Sequence, residues 1–503
     1  MTNITITTKT GRLVGIYKER TNIFLGVPFA IPSVNENRFK RAVSLPISSE
    51  IIDCTTFKNK AIQPQIGNLK IANQIKMSED CLHLNIWAPK IGLKKKAVLV
   101  WIHGGAFMSG ENSVKMFDGE QFCKNGDIVF VSIQYRLGIL GFMDFSFLNS
   151  SDFSFDSNIG LSDQIEALKW VQENIKYFGG DKSNVTVMGE SAGATSILSL
   201  ISSPLAKNLF HKAICQSPVV ESVLSKENAK FWALKAMEIM GLEKNDVLGL
   251  SNVSEENVIQ ATLKINQKFT DIMPGSWPFG PVIDSDLLPN TIVDAFKQNK
   301  AMSLPLLIGT NKDEAANFVK ETEAWLPSNE KHIDRMFELN PKLNKVKVLR
   351  NYESYPSIKA LRDIGRDMSF VTGNTIISDK NSKLADTFVY RFDYETIVAK
   401  KMNIGAFHGL EIMFAFNNLE CELSQILAYE QENPRIIANM LHRYWINFVK
   451  NSNPNSKDLV YWNNYTQKNK ETLLLDVNPK IILNPDKKGY EIWKDAEFSW
   501  IKN

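Results

Sequence analysis

A chain of 503 residues with 44% hydrophobic, 22% charged and 10% aromatic residues has the composition of an ordinary folded globular protein. Fifty-eight basic against 55 acidic residues leave a net charge of +3, which excludes a strongly basic nucleic-acid binder and an acidic solvating tail. No run approaches the roughly 18 consecutive apolar residues of a membrane helix. The polar, alternating start from Met1 to Gly15 has no basic segment followed by an apolar one, so neither membrane association nor a signal peptide is expected. Five scattered cysteines, Cys54, Cys81, Cys123, Cys215 and Cys421, form no CxxC pair and read as free thiols in a reducing cytoplasm.

Short β-branched runs recur along the chain, each ending at a glycine-rich corner or leading into a helical stretch. Ala97–Ile102 precedes His103-Gly104-Gly105. Ile128–Ile133, Val185–Met188, Leu304–Ile308 and Phe388–Phe392 read as further strands. Continuous rather than alternating apolar runs suit a sheet covered on both faces. Leu161–Tyr177 repeats apolar residues at spacings of three and four and stops at Gly179-Gly180; Ser191–Ser202 is small and apolar; Asn439–Lys450 is amphipathic. These three are expected helices. The alternation predicts an α/β fold with a large, mainly parallel sheet in one domain over residues 1–503. The more polar, helical stretches at about 221–272 and 316–380 are expected to be insertions capping a site on the C-terminal edge of the sheet.

Within Val185-Thr186-Val187-Met188-Gly189-Glu190-Ser191-Ala192-Gly193, a G-x-S-x-G lies between a strand and a helix. Glycines on either side of Ser191 allow a very tight turn that lifts the hydroxyl to the sheet edge, beside a helix N-terminus that favours negative charge. A serine nucleophile needs a base, most often histidine. In the chain order serine, acid, histidine, the candidates are His211, His332, His408 and His442. His211 follows Ser191 too soon, His332 lies in a polar helical stretch and His442 in mid-helix. His408, in the loop Gly405-Ala406-Phe407-His408-Gly409, is placed as a reachable base should be. The orienting carboxylate should follow the strand that ends at Gly309, where Asp313 and Glu314 are adjacent and spacing does not choose between them. An oxyanion needs backbone N–H donors, from Ala192 and from the corner His103-Gly104-Gly105-Ala106-Phe107.

These segments resemble the type-B carboxylesterases, the branch of the α/β-hydrolases that holds bacterial para-nitrobenzyl esterases and cholinesterases. The resemblance runs from FLGVPFA (24–30) through SEDCLHLNI (78–86), WIHGGAF (101–107), YRLG (135–138), GLSDQIEALKWVQENI (160–175), GESAG (189–193) and GTNKDEAANF (309–318) to GAFHGLEIMFAF (405–416). It implies an α/β-hydrolase fold and a serine esterase for small to medium esters, with Ser191 as nucleophile, Glu314 as acid and His408 as base. Gly105, Ala106 and Ala192 are the implied oxyanion donors, and Ser217 a supporting hydroxyl. It also implies the ion pairs Arg38–Glu79 and Arg136–Asp163. Phe107, Met108, Phe318, Met413 and Phe414 flank these motifs and are expected to line an apolar pocket. No metal or organic cofactor is expected, and the protein should be a monomer or weak homo-oligomer.

The chain departs from the family at Ala315 and Pro218, where glycine is usual, and at Gln63, where secreted relatives carry the partner of Cys81. The short stretch from Gln63 to Asp80 has no tryptophan, which argues against a choline ester as substrate. The same triad would serve a thioesterase or amidase, and the fold also carries non-catalytic binding proteins.

Overall fold

The apolar runs become the interior strands of one sheet. The computed structural model describes residues 2–65, 75–429 and 433–500, so most of the segment between Gln63 and Asp80 lies outside the described residues. Thirteen strands join in this sheet: β1 (Thr2–Thr8), β2 (Gly11–Lys18), β3 (Thr21–Pro28), β4 (Ile51–Asp53), β5 (His83–Pro89), β6 (Lys96–Ile102), β7 (Val129–Ile133), β8 (Gly180–Glu190), β9 (Lys212–Gln216), β10 (Leu306–Asn311), β11 (Thr387–Phe392), β12 (Glu471–Leu475) and β13 (Lys480–Leu483). Their order is β1-β2-β3-β5-β7-β6-β8-β9-β10-β11-β12-β13, with β4 against β2. Pairing is parallel from β7 through β12 and antiparallel at both flanks, except that β4 runs parallel to β2.

Side chains of β6 show why the run is continuously apolar. Val98, Val100 and Ile102 enter one core while Leu99 and Trp101 enter another, because successive side chains in a strand point to opposite faces. The helices Ile159–Asn174 and Ala192–Ile201 cover the first face through Leu161, Leu168, Ile197 and Leu198. The helix Asn433–Asn451 covers the second through Leu441, Tyr444 and Trp445. The first expected insertion holds the helices Lys226–Ile239, Val247–Ser251 and Glu255–Ile272. The second holds Glu330–Leu339, Lys345–Leu349 and Ile358–Arg366, then a wider π-turn, Asp367–Val371, and the helix Thr372–Asn381.

Element boundaries shift by a few residues from the sequence expectation. The strand read as Val185–Met188 extends over Gly180–Glu190, because its polar first half pairs with β6 at Lys96. All five cysteines are free. No helix among the described residues is long and apolar enough to cross a membrane.

The two expected ion pairs form. Arg38 Nη2 lies 2.8 Å from Glu79 Oε1. Arg136, just past β7, forms a two-pronged pair with Asp163, Nε at 2.9 Å and Nη2 at 2.6 Å, and its own backbone N–H donates to the same carboxylate at 3.0 Å. With Asp163 fully buried, Asp163→Ala leaves a guanidinium without its partner in the core. The expected destabilisation is about 3–5 kcal/mol, read as a lower urea midpoint at unchanged slope; a loss under about 1 kcal/mol would contradict it.

Candidate active site

Parallel strands of one sheet end their C-termini on one edge, and four of those ends build the site. β8 runs into Ser191, whose backbone is held at φ 55° and ψ −124°. Such a conformation costs about 1–3 kcal/mol for a residue with a Cβ. It persists because both sides of the turn are tied. Ser191 N–H donates to the Gln216 carbonyl of β9 at 2.8 Å, and Thr195 N–H donates back to the Ser191 carbonyl at 2.9 Å. Gly193 is required by close approach, since a Cβ there would lie 2.1 Å from the Ile102 carbonyl oxygen of β6.

β6 ends at the His103–Phe107 corner. Ala106 and Phe107 both have positive φ, 52° and 60°, and a Cβ on Gly104 would stand 3.1 Å from that of Ser191. The corner that carries Gly105 and Ala106 thus turns tightly against Glu190 and Ser191. His103 is part of the scaffold: its ring stacks on Tyr135 at 4.4 Å and its Nδ1–H donates to the Gly104 carbonyl at 2.8 Å. Burial lowers it to about 4.

The loop after β10 separates the two adjacent acids that spacing left open. Glu314, fully buried, accepts from His408 Nδ1 at 2.6 Å and from the Asn311 N–H at 2.7 Å. Asp313 instead accepts from the Ala406 N–H at 3.0 Å, and its own N–H donates to the Ala406 carbonyl. One acid therefore orients the imidazole while its neighbour pins the loop that carries it. Asn317 adds a bond from Nδ2 to the His408 carbonyl at 3.3 Å. Phe318 and Phe370, the latter in the π-turn, each stand 5.0 Å from the imidazole. Ala315 is buried opposite Gly365, so its methyl has room.

The other histidines are engaged elsewhere. His211 Nδ1 accepts from the Val185 N–H at 3.3 Å, His332 Nε2 lies 2.9 Å from Asp271, and His442 donates from Nδ1 to the Ala415 carbonyl at 2.8 Å.

Two carboxylates that the sequence reading passed over complete the site. Glu190, the variable residue before the serine in G-x-S-x-G, places Oε1 3.1 Å from His408 Nε2, off the line of a hydrogen bond. Nε2 makes no hydrogen bond with the described residues, Ser191 Oγ included. Glu411, three residues past the histidine, accepts from Gln216 Nε2 at 3.0 Å and Asn311 Nδ2 at 2.5 Å. Burial opposes a charged imidazole, but the Glu190 and Glu314 carboxylates outweigh it and push His408 up to about 9. Burial also pushes Glu190 up to about 8, against the attraction of His408.

The expected neighbours divide. Phe318 faces the imidazole, while Phe107 packs on Phe142 at 4.5 Å in the same core as Met108. Met413 and Phe414 lie in the core on the other face of the sheet, Phe414 against Phe392 and Tyr394. For these two the pocket expectation gives way to core packing, because the short helix Ile412–Phe416 carries them away from His408. Ser217 is buried with φ 50°, and its N–H donates to the Gly309 carbonyl at 2.8 Å, but its hydroxyl finds no partner.

Residues 2–493 match the model of the carboxylesterase family. The chain is similar to the para-nitrobenzyl esterase of Bacillus subtilis (strain 168), 33% identical over 492 residues with 97% of each chain covered. It is also similar to the pyrethroid hydrolase Ces2a of Mus musculus, 32% identical with 92% of this chain and 85% of the other covered. Among solved structures, a thermophilic PNB esterase superposes with a TM-score of 0.89 at 31% identity, covering 98% of this chain and all of its own. A Geobacillus stearothermophilus carboxylesterase gives 0.84 at 31% identity, covering 97% and 99%. The fold is therefore the α/β-hydrolase fold of these esterases.

Removing the Glu190 charge tests the electrostatics directly. The carboxylate stabilises the imidazolium, so Glu190→Gln is expected to lower the His408 midpoint from about 9 toward the ordinary histidine range, followed by NMR titration of the ring protons. An unchanged or higher midpoint would refute the assignment.

Proposed function

The chain belongs to the carboxylesterase family and is a carboxylic-ester hydrolase; from that premise we propose that Ser191, His408 and Glu314 hydrolyse small to medium esters by a two-step acyl transfer. The observation that carries this is the 2.6 Å bond from His408 Nδ1 to buried Glu314, on a loop that returns to the strained turn at Ser191. With Nδ1 bonded to Glu314, Nε2 is the nitrogen left to take a proton from the serine. Ser191 Oγ attacks the ester carbonyl as that proton moves to Nε2, and the Glu314 carboxylate stabilises the resulting imidazolium. The amides of Gly105, Ala106 and Ala192 receive the oxyanion, each such donor contributing about 2.7–4 kcal/mol in comparable sites. His408 then returns the proton to the departing alcohol. A water activated by the same nitrogen hydrolyses the acyl-enzyme.

Nε2 rests against Glu190, a contact that favours the protonated ring, so the ring must leave it and give up that proton before it can serve the serine. Catalytic hydrogen bonds are often loose before substrate arrives. Phe318 gives the site an apolar wall beside the base, which favours esters with apolar acyl or alcohol groups. The free thiols suit a reducing compartment, and we place the protein in the cytoplasm.

Hydrolysis of 4-nitrophenyl butyrate by the purified chain is the direct test. Ser191→Ala is expected to lower kcat by at least about 10⁴-fold while remaining folded. Equal turnover in both would refute the nucleophile. Glu314→Gln, which keeps the shape and removes the charge, should cost about 10⁴-fold, as loss of an orienting carboxylate does elsewhere. Asp313→Asn should retain far more activity than Glu314→Gln. The reverse ranking would exchange the roles of the two acids.

A further inference from the structure

A cavity of about 290 Å³ lies between the turn Val220–Ser222, the helix Ile292–Lys297, the π-turn with the helix that follows it, and the C-terminal segment 493–498. Its size falls near the lower end of small-molecule sites. Glu221 contributes a carboxylate to its lining. Oxygen Oε2 of that carboxylate is buried and accepts no hydrogen bond. Buried polar atoms are almost always satisfied, and a carboxylate at a cavity wall with one orphan oxygen calls for a donor. Gly373 keeps the space around this oxygen open, since a Cβ there would come within 2.9 Å of it.

No cation supplies that donor among the described residues. Lys297 lines the same cavity but is exposed, and it acts on Glu221 as a nearby charge without a hydrogen bond to Oε2. Lys494 is paired with Glu491 at 2.7 Å. Asp294 and Asp495 also face the cavity, as does Glu497, which is paired with Lys342 at 3.9 Å. The rest of the lining is apolar, including Val220, Met368 and Trp493, all nearly inaccessible to solvent.

We propose that this cavity binds an organic ammonium compound, with its cation on the Glu221 carboxylate and its apolar body against Val220, Met368 and Trp493. A neutral apolar ligand would leave the carboxylate unpaired, and an anion would meet it head-on. The site is separate from the Ser191 hydroxyl and does not depend on the catalytic reading. It does share walls with the catalytic region. Val219, next to Val220, is bonded through its N–H and carbonyl to Thr195 Oγ1 at 2.9 and 3.3 Å, and Met368 lies in the π-turn whose Phe370 packs on His408.

Burial pushes the Glu221 carboxyl up to about 8, against its own backbone N–H and the Lys297 charge. An ammonium binds the ionised form, so its affinity should rise with pH through that region and each binding event should release a proton.

Calorimetry on the full chain with benzylammonium, and with benzyl alcohol as its uncharged counterpart, tests the site. The expected result is saturable benzylammonium binding that weakens about tenfold or more in Glu221→Gln, while benzyl alcohol binds both proteins equally and more weakly. Proton release, read from the dependence of the binding enthalpy on the buffer, should disappear in the variant. Absence of benzylammonium binding in the folded parent overturns the proposal, as does equal affinity in Glu221→Gln or tighter binding of the alcohol. Circular dichroism establishes that the variant is folded. Should it not be, Glu221→Asp, which draws the charge back from the cavity, must weaken binding in the same sense or the proposal fails. Because the measurement is of binding, it stands or falls independently of esterase turnover.

Discussion

Three buried carboxylates around a single imidazole set the terms for the rest of the structure. Glu190, Glu314 and Glu411 lie in a region that excludes water, and His408 is the one base among them. Taking a carboxylate out of water is costly unless every oxygen is met by a donor or a cation. The surrounding elements supply these donors unequally. Glu314 has a backbone N–H and the imidazole; Glu411 has two side-chain amides. Glu190 has only the poorly directed approach of Nε2. The least satisfied acid therefore lies against the nitrogen that the proposed mechanism assigns to the serine. In the proposed reaction the ring leaves this contact, and the proton affinity of the imidazole falls as the Glu190 carboxylate is left behind.

Such a cluster can be held only by a rigid frame, which is why four strands contribute to it. β8 delivers Glu190 and Ser191, β9 delivers Gln216, β10 delivers Asn311 and the acid loop, and β6 delivers the corner opposite the serine. Asn311 is the joint between them: its N–H holds Glu314, and its side chain bonds both Glu411 and the Phe407 carbonyl. One residue at a strand end thus ties the acid, the histidine loop and the buried carboxylate beside it. Asp313 holds the Ala406 backbone twice, its carboxylate accepting from the Ala406 N–H and its own N–H donating to the Ala406 carbonyl. The imidazole is placed by hydrogen bonds to its own loop as much as by Glu314, and in this way a loop, ordinarily the mobile part of a fold, acquires the precision of a strand end.

Much of this was legible in the sequence wherever a physical requirement acts over a few residues. The continuous apolar runs marked a doubly covered sheet, the glycines of GESAG marked a turn too tight for side chains, and the glycine-flanked His408 marked a loop rather than a helix. What the sequence concealed depends on segments that meet only after folding. Glu190 looks like a spacer in its motif, and its meaning comes from His408, which a different strand and loop return to it. Met413 and Phe414 follow Glu411 by only two and three residues, yet the helix at 412–416 turns them to the opposite face. Asp313 and Glu314 differ by one position, and a 3₁₀ turn starting at Glu314 sends their carboxylates in different directions. Proximity in sequence to a catalytic residue is thus a weak guide to function once the backbone turns.

The departures from the family pattern follow from the same geometry. An alanine in place of glycine after Glu314 adds a methyl where the acid loop meets the helix Ile358–Arg366, and the facing residue there is itself a glycine, Gly365. A change of volume on one side is met by a small residue on the other, as close-packed interiors require. The helix carrying Gly365 continues into the π-turn that presents Phe370 to the imidazole, so packing at Ala315 and placement of the aromatic wall are parts of one contact. Variation at 315 or 365 should therefore be tolerated only when both positions change together, and its consequences should appear first in the position of Phe370 beside His408 rather than in the bond to Glu314.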